Sequence, residues 1–254
     1  MHDASGRRYH CATLRSHPEL HAAAELYARV FGYDTPDLHL NTNLLSALVR
    51  NGGSAVGVLT DDDELVGFAY GFFGVDRAGD EFHYSQAAVV DPAHQGTGVG
   101  RLLKNAQRDV ARSWGQRRMR WTFDPSLARN AHFNFSTLGA EGIDYEDDYY
   151  GRPGTDRIMV EWALERKSDP YAAERTRQPP HFGPENWGKP SPAGDDAVWL
   201  PVPAQPDWDA EMCEVVRAAL RAIVTDGRVL IACTRIDDRT AAHLAVRRLD
   251  EEEE

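Results

Sequence analysis

The stretch of this chain with the clearest chemistry is Gln95-Gly96-Thr97-Gly98-Val99-Gly100. An apolar run ends at Val90, Asp91-Pro92 breaks it, and a helical pattern starts just after the glycines. Backbone N–H groups in such a loop, and at the start of the helix behind it, lack intrachain partners and carry partial positive charge. Together they make a seat for a phosphate or pyrophosphate. Glycine suits the loop because a Cβ would hold an anion away from the backbone and because a left-handed turn costs glycine little. Two familiar phosphate loops are excluded. The dinucleotide fingerprint would need glycine at position 101, where Arg101 stands, and no Gly-Lys-Ser/Thr ending is present. The remaining alternative is a glycine-rich turn with no ligand.

Several elements must position this loop. Residues 9–14 read as an opening strand. Ser16 and Glu19 form a capping box with Pro18 in the first turn, and Leu20, Ala23, Ala24, Tyr27, Val30 and Phe31 recur at helical spacing up to Gly32. A second helix is expected over 42–50. Strands are expected at 55–59 and 65–73, joined by Asp61-Asp62-Asp63-Glu64 as a hairpin turn, and at 82–90. After the loop, Val99, Leu102, Leu103, Ala106, Val110, Ala111 and Trp114 mark one helix face. A strand at 119–123, a short helix at 130–138 and strands at 140–150 and 158–162 complete the series. Residues 167–195 hold six prolines and no periodic pattern, which reads as an extended surface connection with Phe182 and Trp187 as anchors. Structure resumes with a strand at 198–202, a helix at 207–225 that buries a stripe from Met212 to Ile223, and strands at 229–233 and 242–249. The fold class is α/β, with a mixed, largely antiparallel sheet flanked by helices and a small α/β C-terminal extension.

Composition narrows the function. The 254 residues carry a formal net charge of -12, which argues against nucleic acid as a partner. Hydrophobic residues make up 42% of the chain, enough for a sizeable core, yet no apolar run reaches membrane-spanning length. Residues 1–8 show no secretory signal. Cys11, Cys213 and Cys233 are far apart and form no metal-ligand spacing, so they read as reduced cysteines of a cytoplasmic protein with no metal.

The loop Gln95 to Gly100, following a strand and preceding a helix, resembles the acyl-CoA signature Gln/Arg-x-x-Gly-x-Gly/Ala of the GNAT (GCN5-related N-acetyltransferase) superfamily. The similar order of elements covers roughly residues 9–163. A narrower resemblance, to a longer bacterial GNAT subgroup, rests on Trp121-Thr122-Phe123-Asp124-Pro125, Asn130-Ala131-His132-Phe133-Asn134, Leu138-Gly139-Ala140, Tyr149-Tyr150-Gly151, Thr155-Asp156-Arg157 and Val160-Glu161-Trp162. The resemblance implies acetyl-CoA or another acyl-CoA as cosubstrate, its pyrophosphate on Gln95, Gly96, Thr97, Gly98, Val99, Gly100 and Arg101. It implies pantetheine contacts from the backbone of Ala88, Val89 and Val90, with Asn130, Asn134 and Phe135 as further coenzyme neighbours. Asn130 reads equally well as a helix cap.

The acyl group, acetyl or succinyl, would pass directly to the amine of a small molecule or amino acid in a ternary complex. The family's tyrosine, which protonates the leaving thiolate, is replaced by Phe135, a residue that cannot donate a proton. A tyrosine restored there is therefore expected to change the rate little, or to raise it modestly if its phenol reaches the thiolate. Glu81, Tyr84 and Asp124 are the candidates for handling protons. Against them, Asp124 also fits a plain Asp-Pro turn, and Glu81 and His83 fit solvent-facing strand positions. The acidic run 144–150 is either an amine pocket or an ordinary hairpin, and Arg217 or Arg221 could meet an acceptor carboxylate. The expected organisation is an acyltransferase domain at 9–165, a proline-rich connection at 166–195 and an extension at 196–250 docked on the core or on a partner subunit. A homodimer is left open and no membrane partner is expected. The rival to an enzyme is a coenzyme A-binding sensor without turnover.

Overall fold

The computed structural model describes residues 8–35, 38–206 and 208–249. The N-terminal residues 1–7 and the acidic tail 250–254 lie outside the described residues, as does Asp207 at the start of the expected last helix. The chain divides into two compact units between Trp121 and Thr122.

In the first unit β1 (Tyr9–Thr13) is followed by α1 (His17–Phe31), α2 (Thr42–Arg50), β2 (Ser54–Thr60), β3 (Leu65–Val75), β4 (Glu81–Val90), α3 (Val99–Ser113) and β5 (Arg118–Phe123), which runs across the boundary. Strand order is β1-β2-β3-β4-β5. The first three pairings are antiparallel: short turns join β2, β3 and β4, while β1 reaches β2 through the two helices α1 and α2. The last is parallel, because α3 carries the chain back across the sheet. The capping box read from the sequence starts α1: Ser16 Oγ accepts from Glu19 N–H, while Glu19 accepts from Ser16 N–H at 2.8 Å. Gly32, with φ 65°, ends it.

Both faces of this sheet are covered. Leu20, Ala23 and Leu26 of α1 pack with Leu45, Ala55, Phe68 and Val89 on one cluster. On another, Val99 and Leu103 of α3 pack with Val56, Val58, Val66 and Ala69. That two-sided burial is why β2 and the first half of β3 read as near-continuous apolar runs.

The second unit begins with a single helical turn, α4 (Ala128–Ala131), which widens into a π-helix at His132–Thr137. Then come β6 (Glu141–Glu146), β7 (Arg157–Ala163), α5 (Ala172–Arg175), the short β8 (Ser191–Pro192), β9 (Ala197–Pro203), α6 (Ala210–Thr225), β10 (Arg228–Arg235) and β11 (Thr240–Arg247). The strand order is β7-β6-β10-β11-β9-β8. The C-terminal strands thus continue the sheet of the β6–β7 hairpin through β10. Asp209 caps α6 by accepting from Met212 N–H at 2.8 Å, two residues past the expected start.

The proline-rich segment does more than cross the surface. Tyr171 and Phe182 are buried with Trp199, Ile231 and Leu244. The Arg175 guanidinium donates to the carbonyls of Phe135 at 2.6 Å, Gly139 at 3.0 Å and Ile231. Single anchors of this kind leave no repeat in the sequence. No helix among the described residues is long and apolar enough to cross a membrane.

Candidate active site

The loop between β4 and α3 has the shape an anion seat requires. Gly96 has φ 77° and Gly98, the residue before α3, has φ 93°. Asp91 accepts from Ala93 N–H at 2.9 Å, and Arg29 donates to its other oxygen at 3.1 Å, so the Asp-Pro break is pinned. The backbone N–H of Ala93 and the cation Arg29 hold the Asp91 carboxyl below the usual carboxylate range. Gln95 Nε2 donates to Val90 O at 3.2 Å, and Thr97 Oγ1 donates to His94 O at 2.6 Å. These bonds tie the loop's polar side chains back onto the chain. Its amides are left over: among the described residues, no N–H from Gly96 to Gly100 donates to the protein. Five successive unspent donors at the positive end of a 15-residue helix make an oxyanion-binding surface. Arg101 follows, exposed, in the first turn.

β4 and β5 pair only at His83↔Met119 and Tyr84↔Arg120. Beyond those pairs the β5-side edge of β4 is free of β5, and Ala88, Val89 and Val90 lie on it, with β3 on their other side. Tyr84 is buried, packed against Phe72 and Phe82. Glu81 is exposed at the far end of β4, seven residues before Ala88, or roughly 23 Å by strand rise.

The remaining candidates belong to the second unit. Asp124 Oδ1 accepts from Ser126 N–H at 2.9 Å and from Ser126 Oγ at 2.7 Å, which is an Asx turn. Asn130 is exposed, and the residue before α4 is Leu127, so Asn130 does not cap that helix. Asn134 is buried in the π-helix, and its carbonyl accepts from Ala140 N–H. Phe135 is fully enclosed, edge-on to Phe123 and His243. Its ring tip abuts β6: a Cβ built on Gly142 would lie 2.9 Å from Phe135 Cζ. A phenol oxygen at that tip has no free space, which changes the expectation for Phe135→Tyr. The variant is expected to lose about 1–3 kcal/mol by overpacking, measured as a lower urea midpoint.

Two arginines offered by the sequence for an acceptor carboxylate are committed elsewhere. Arg217 on α6 makes a two-pronged pair with Asp156, at 2.9 and 2.8 Å, and Tyr145 Oη donates to the same carboxylate at 2.5 Å. Burial raises the Asp156 pKa, but hydrogen bonds from Asp148 N–H, Tyr145 and Arg217 outweigh it and leave the carboxyl below its ordinary value. Arg221 pairs with Asp147. The acidic run therefore faces α6, around a cavity of about 300 Å³ lined by Asp144, Glu146, Asp147 and Arg221.

The sequence reading missed a polar cluster beneath β4. His83 is fully buried rather than solvent-facing, because α3 covers that face and Trp114 stacks on the ring. His83 Nε2 meets Ser54 Oγ at 2.8 Å. Lys104 Nζ donates to Ser85 Oγ at 2.8 Å and lies 3.8 Å from the centre of the Trp121 ring. Ser85 Oγ donates in turn to Gln107 Oε1 at 2.9 Å. A legible signal existed: Lys104 and Gln107 fall on the buried stripe Val99, Leu103, Ala111 of α3.

Burial depresses the Lys104 pKa to about 7 and, helped by the Lys104 charge, the His83 pKa to about 4. Between pH 7 and the ordinary lysine value the unfolded chain holds a proton that the folded chain has released, so folding stability should rise with pH in that window. From pH 7.5 to 9.5 the wild-type protein is expected to gain about 2–3 kcal/mol relative to Lys104→Met, in urea titrations of both proteins. An equal pH response would show that Lys104 keeps its proton when folded.

Comparison with known proteins fits this geometry. Residues 19–139 match the model of the acetyltransferase (GNAT) family. That match marks residues 19–139 as a GNAT-like acetyltransferase domain. Its fold is shared by a GNAT-family acetyltransferase of Desulfovibrio desulfuricans, at 19% identity and TM-score 0.50 over 62% of this chain and 99% of the other. A GNAT-family acetyltransferase of Streptococcus pneumoniae matches at 12% identity and TM-score 0.50, over 61% and 99%. The acetyltransferase yncA of Salmonella typhimurium, solved with acetyl-CoA, matches at 21% identity and TM-score 0.49, over 65% and 99%. No curated protein matches the chain.

Proposed function

We propose that this protein is an acyl-CoA-dependent N-acyltransferase acting on a small amine or amino acid. The observation that carries the reading is the row of unspent amides from Gly96 to Gly100 at the start of α3, beside the open edge of β4. These amides and Arg101 hold the coenzyme's pyrophosphate, and the backbone of Ala88, Val89 and Val90 bonds to the pantetheine arm. Acyl-CoA supplies an activated acyl group, acetyl or succinyl, as a thioester. The N–H of Val89 or Val90 polarises the thioester carbonyl, as a preorganised donor does wherever negative charge develops. The acceptor amine attacks the thioester carbonyl directly within a ternary complex; the C–N bond forms, the amine gives up a proton, and the C–S bond breaks to release CoA as its thiol. Tyr84, buried on β4, is the proton-handling group best placed for it, ahead of the exposed Glu81 and of Asp124, one of whose oxygens is spent on its own turn.

A coenzyme-binding protein without turnover is the second reading, favoured by the enclosed, protonless Phe135. Millimolar acetyl-CoA, succinyl-CoA or free CoA is expected to raise the melting temperature, because a ligand that binds only the folded state stabilises it by mass action. Thiol release from acyl-CoA with a panel of amines then separates enzyme from binder. No thermal shift with any of the three would refute the coenzyme assignment.

A further inference from the structure

We propose that Lys104, Ser85 and Gln107 form a buried carboxylate-binding subsite at the closed end of the β4–β5 splay. This rests on the acyl-CoA reading of the loop and adds a chemical class of ligand to it. Ser85 and Trp121 are the first residues beyond the last β4–β5 pair, Tyr84↔Arg120, and the Lys104 ammonium lies between them. Ser85 is three residues before Ala88, about 10 Å along the strand from the proposed pantetheine contacts.

The donors at this point exceed the acceptors. Lys104 has no carboxylate partner among the described residues; its one hydrogen bond is to Ser85. Gln107 Nε2, an amide donor, is buried with no hydrogen-bond partner. Buried charges in proteins are normally paired, and a buried donor left alone costs free energy, so a set like this is built for something that arrives. Two N–H bonds on Lys104 and one amide N–H on Gln107 match the lone pairs of a carboxylate, and the Trp121 ring covers the cation from one side. His83 is the titratable neighbour of Lys104; its Nε2 is engaged with Ser54, and burial keeps the ring neutral near pH 7.

The carboxylate could end the acyl group, as in a dicarboxylic acyl-CoA, or belong to an amino-acid acceptor. Two measurements separate these sources. Calorimetric titration of free CoA, acetyl-CoA and succinyl-CoA is expected to show succinyl-CoA binding at least 10-fold more tightly than acetyl-CoA if the acyl group carries it. If the acceptor carries it, amino acids should exceed their decarboxylated amines at least 10-fold in kcat/KM with acetyl-CoA. Either preference should fall to about onefold in Lys104→Met. It should fall likewise in Gln107→Glu, which places a carboxylate of the chain itself beside Lys104 and serves should the methionine variant not fold. Normal binding of free CoA with both ratios independent of Lys104 and Gln107 would overturn the subsite alone. Absence of free CoA binding in the wild-type protein would overturn the coenzyme reading and the subsite together.

Discussion

Gly98→Glu is expected to raise the Kd for free CoA roughly 100-fold or more, equivalent to about 2.7 kcal/mol of binding free energy. Gly98 is the residue before α3, at φ 93°, in the middle of the five amides that have no acceptor in the chain. A side chain there stands where phosphate must approach the backbone, and a carboxylate adds like-charge repulsion. The backbone angle adds a separate cost, since a residue with a Cβ at this φ is strained by about 1–3 kcal/mol whatever its charge. Gly98→Ala isolates that cost. The alanine variant should lose thermal stability to a similar degree as the glutamate variant and lose less of its CoA affinity. Calorimetry with free CoA, alongside far-ultraviolet circular dichroism to confirm folding, reads both. Unchanged affinity in the glutamate variant would show that the loop does not hold pyrophosphate.

Ending the chain at Glu165 should yield an aggregating protein rather than a smaller folded one. The lost residues supply β9, β10, β11 and α6, so β6 loses β10 as its hydrogen-bonding neighbour. Phe135, whose ring meets His243 of β11, loses that cover, and the carbonyls of Phe135 and Gly139 lose the Arg175 guanidinium. Asp156, buried with Tyr145, loses its cation Arg217; breaking such a buried pair alone costs about 3–5 kcal/mol. That pair alone is a large share of the margin of a typical domain, about 5–15 kcal/mol, and the lost strand pairing and core cover come on top of it. Soluble expression and size-exclusion chromatography of residues 1–165 test this. A monomeric truncated protein with a cooperative melting transition would mean that residues 122–165 are folded without the C-terminal strands.

What the sequence determined by itself is the part of the structure governed by local chemistry. Ser16 and Glu19 cap α1 because the two groups are one helical turn apart in any fold. The helix face Val99, Leu103, Ala111 predicts α3, and Asp91-Pro92 with the glycines predicts the break before it. Alternating and continuous apolar runs set the antiparallel hairpins, and with them the fold class. The anion seat is legible for the same reason: backbone amides at a glycine loop and helix start are unspent whatever surrounds them.

The tertiary structure decided what depends on partners distant in sequence. His83 is buried because α3 and Trp114 cover it, and nothing in the strand's own pattern announces that. Arg217 and Arg221 look like free cations on a helix face until the β6–β7 hairpin brings Asp156 and Asp147 against them. Phe135 could be judged from sequence only as a side chain without a proton; that its ring is sealed against Gly142 is a fact of packing. The group Ser54, His83, Ser85, Lys104 and Gln107 spans three elements, so only the sheet and the helix laid over it make them neighbours. Burial then gives Lys104 a property its residue type lacks, an amine half-protonated near neutral pH, because desolvation acts only once the chain has closed around it.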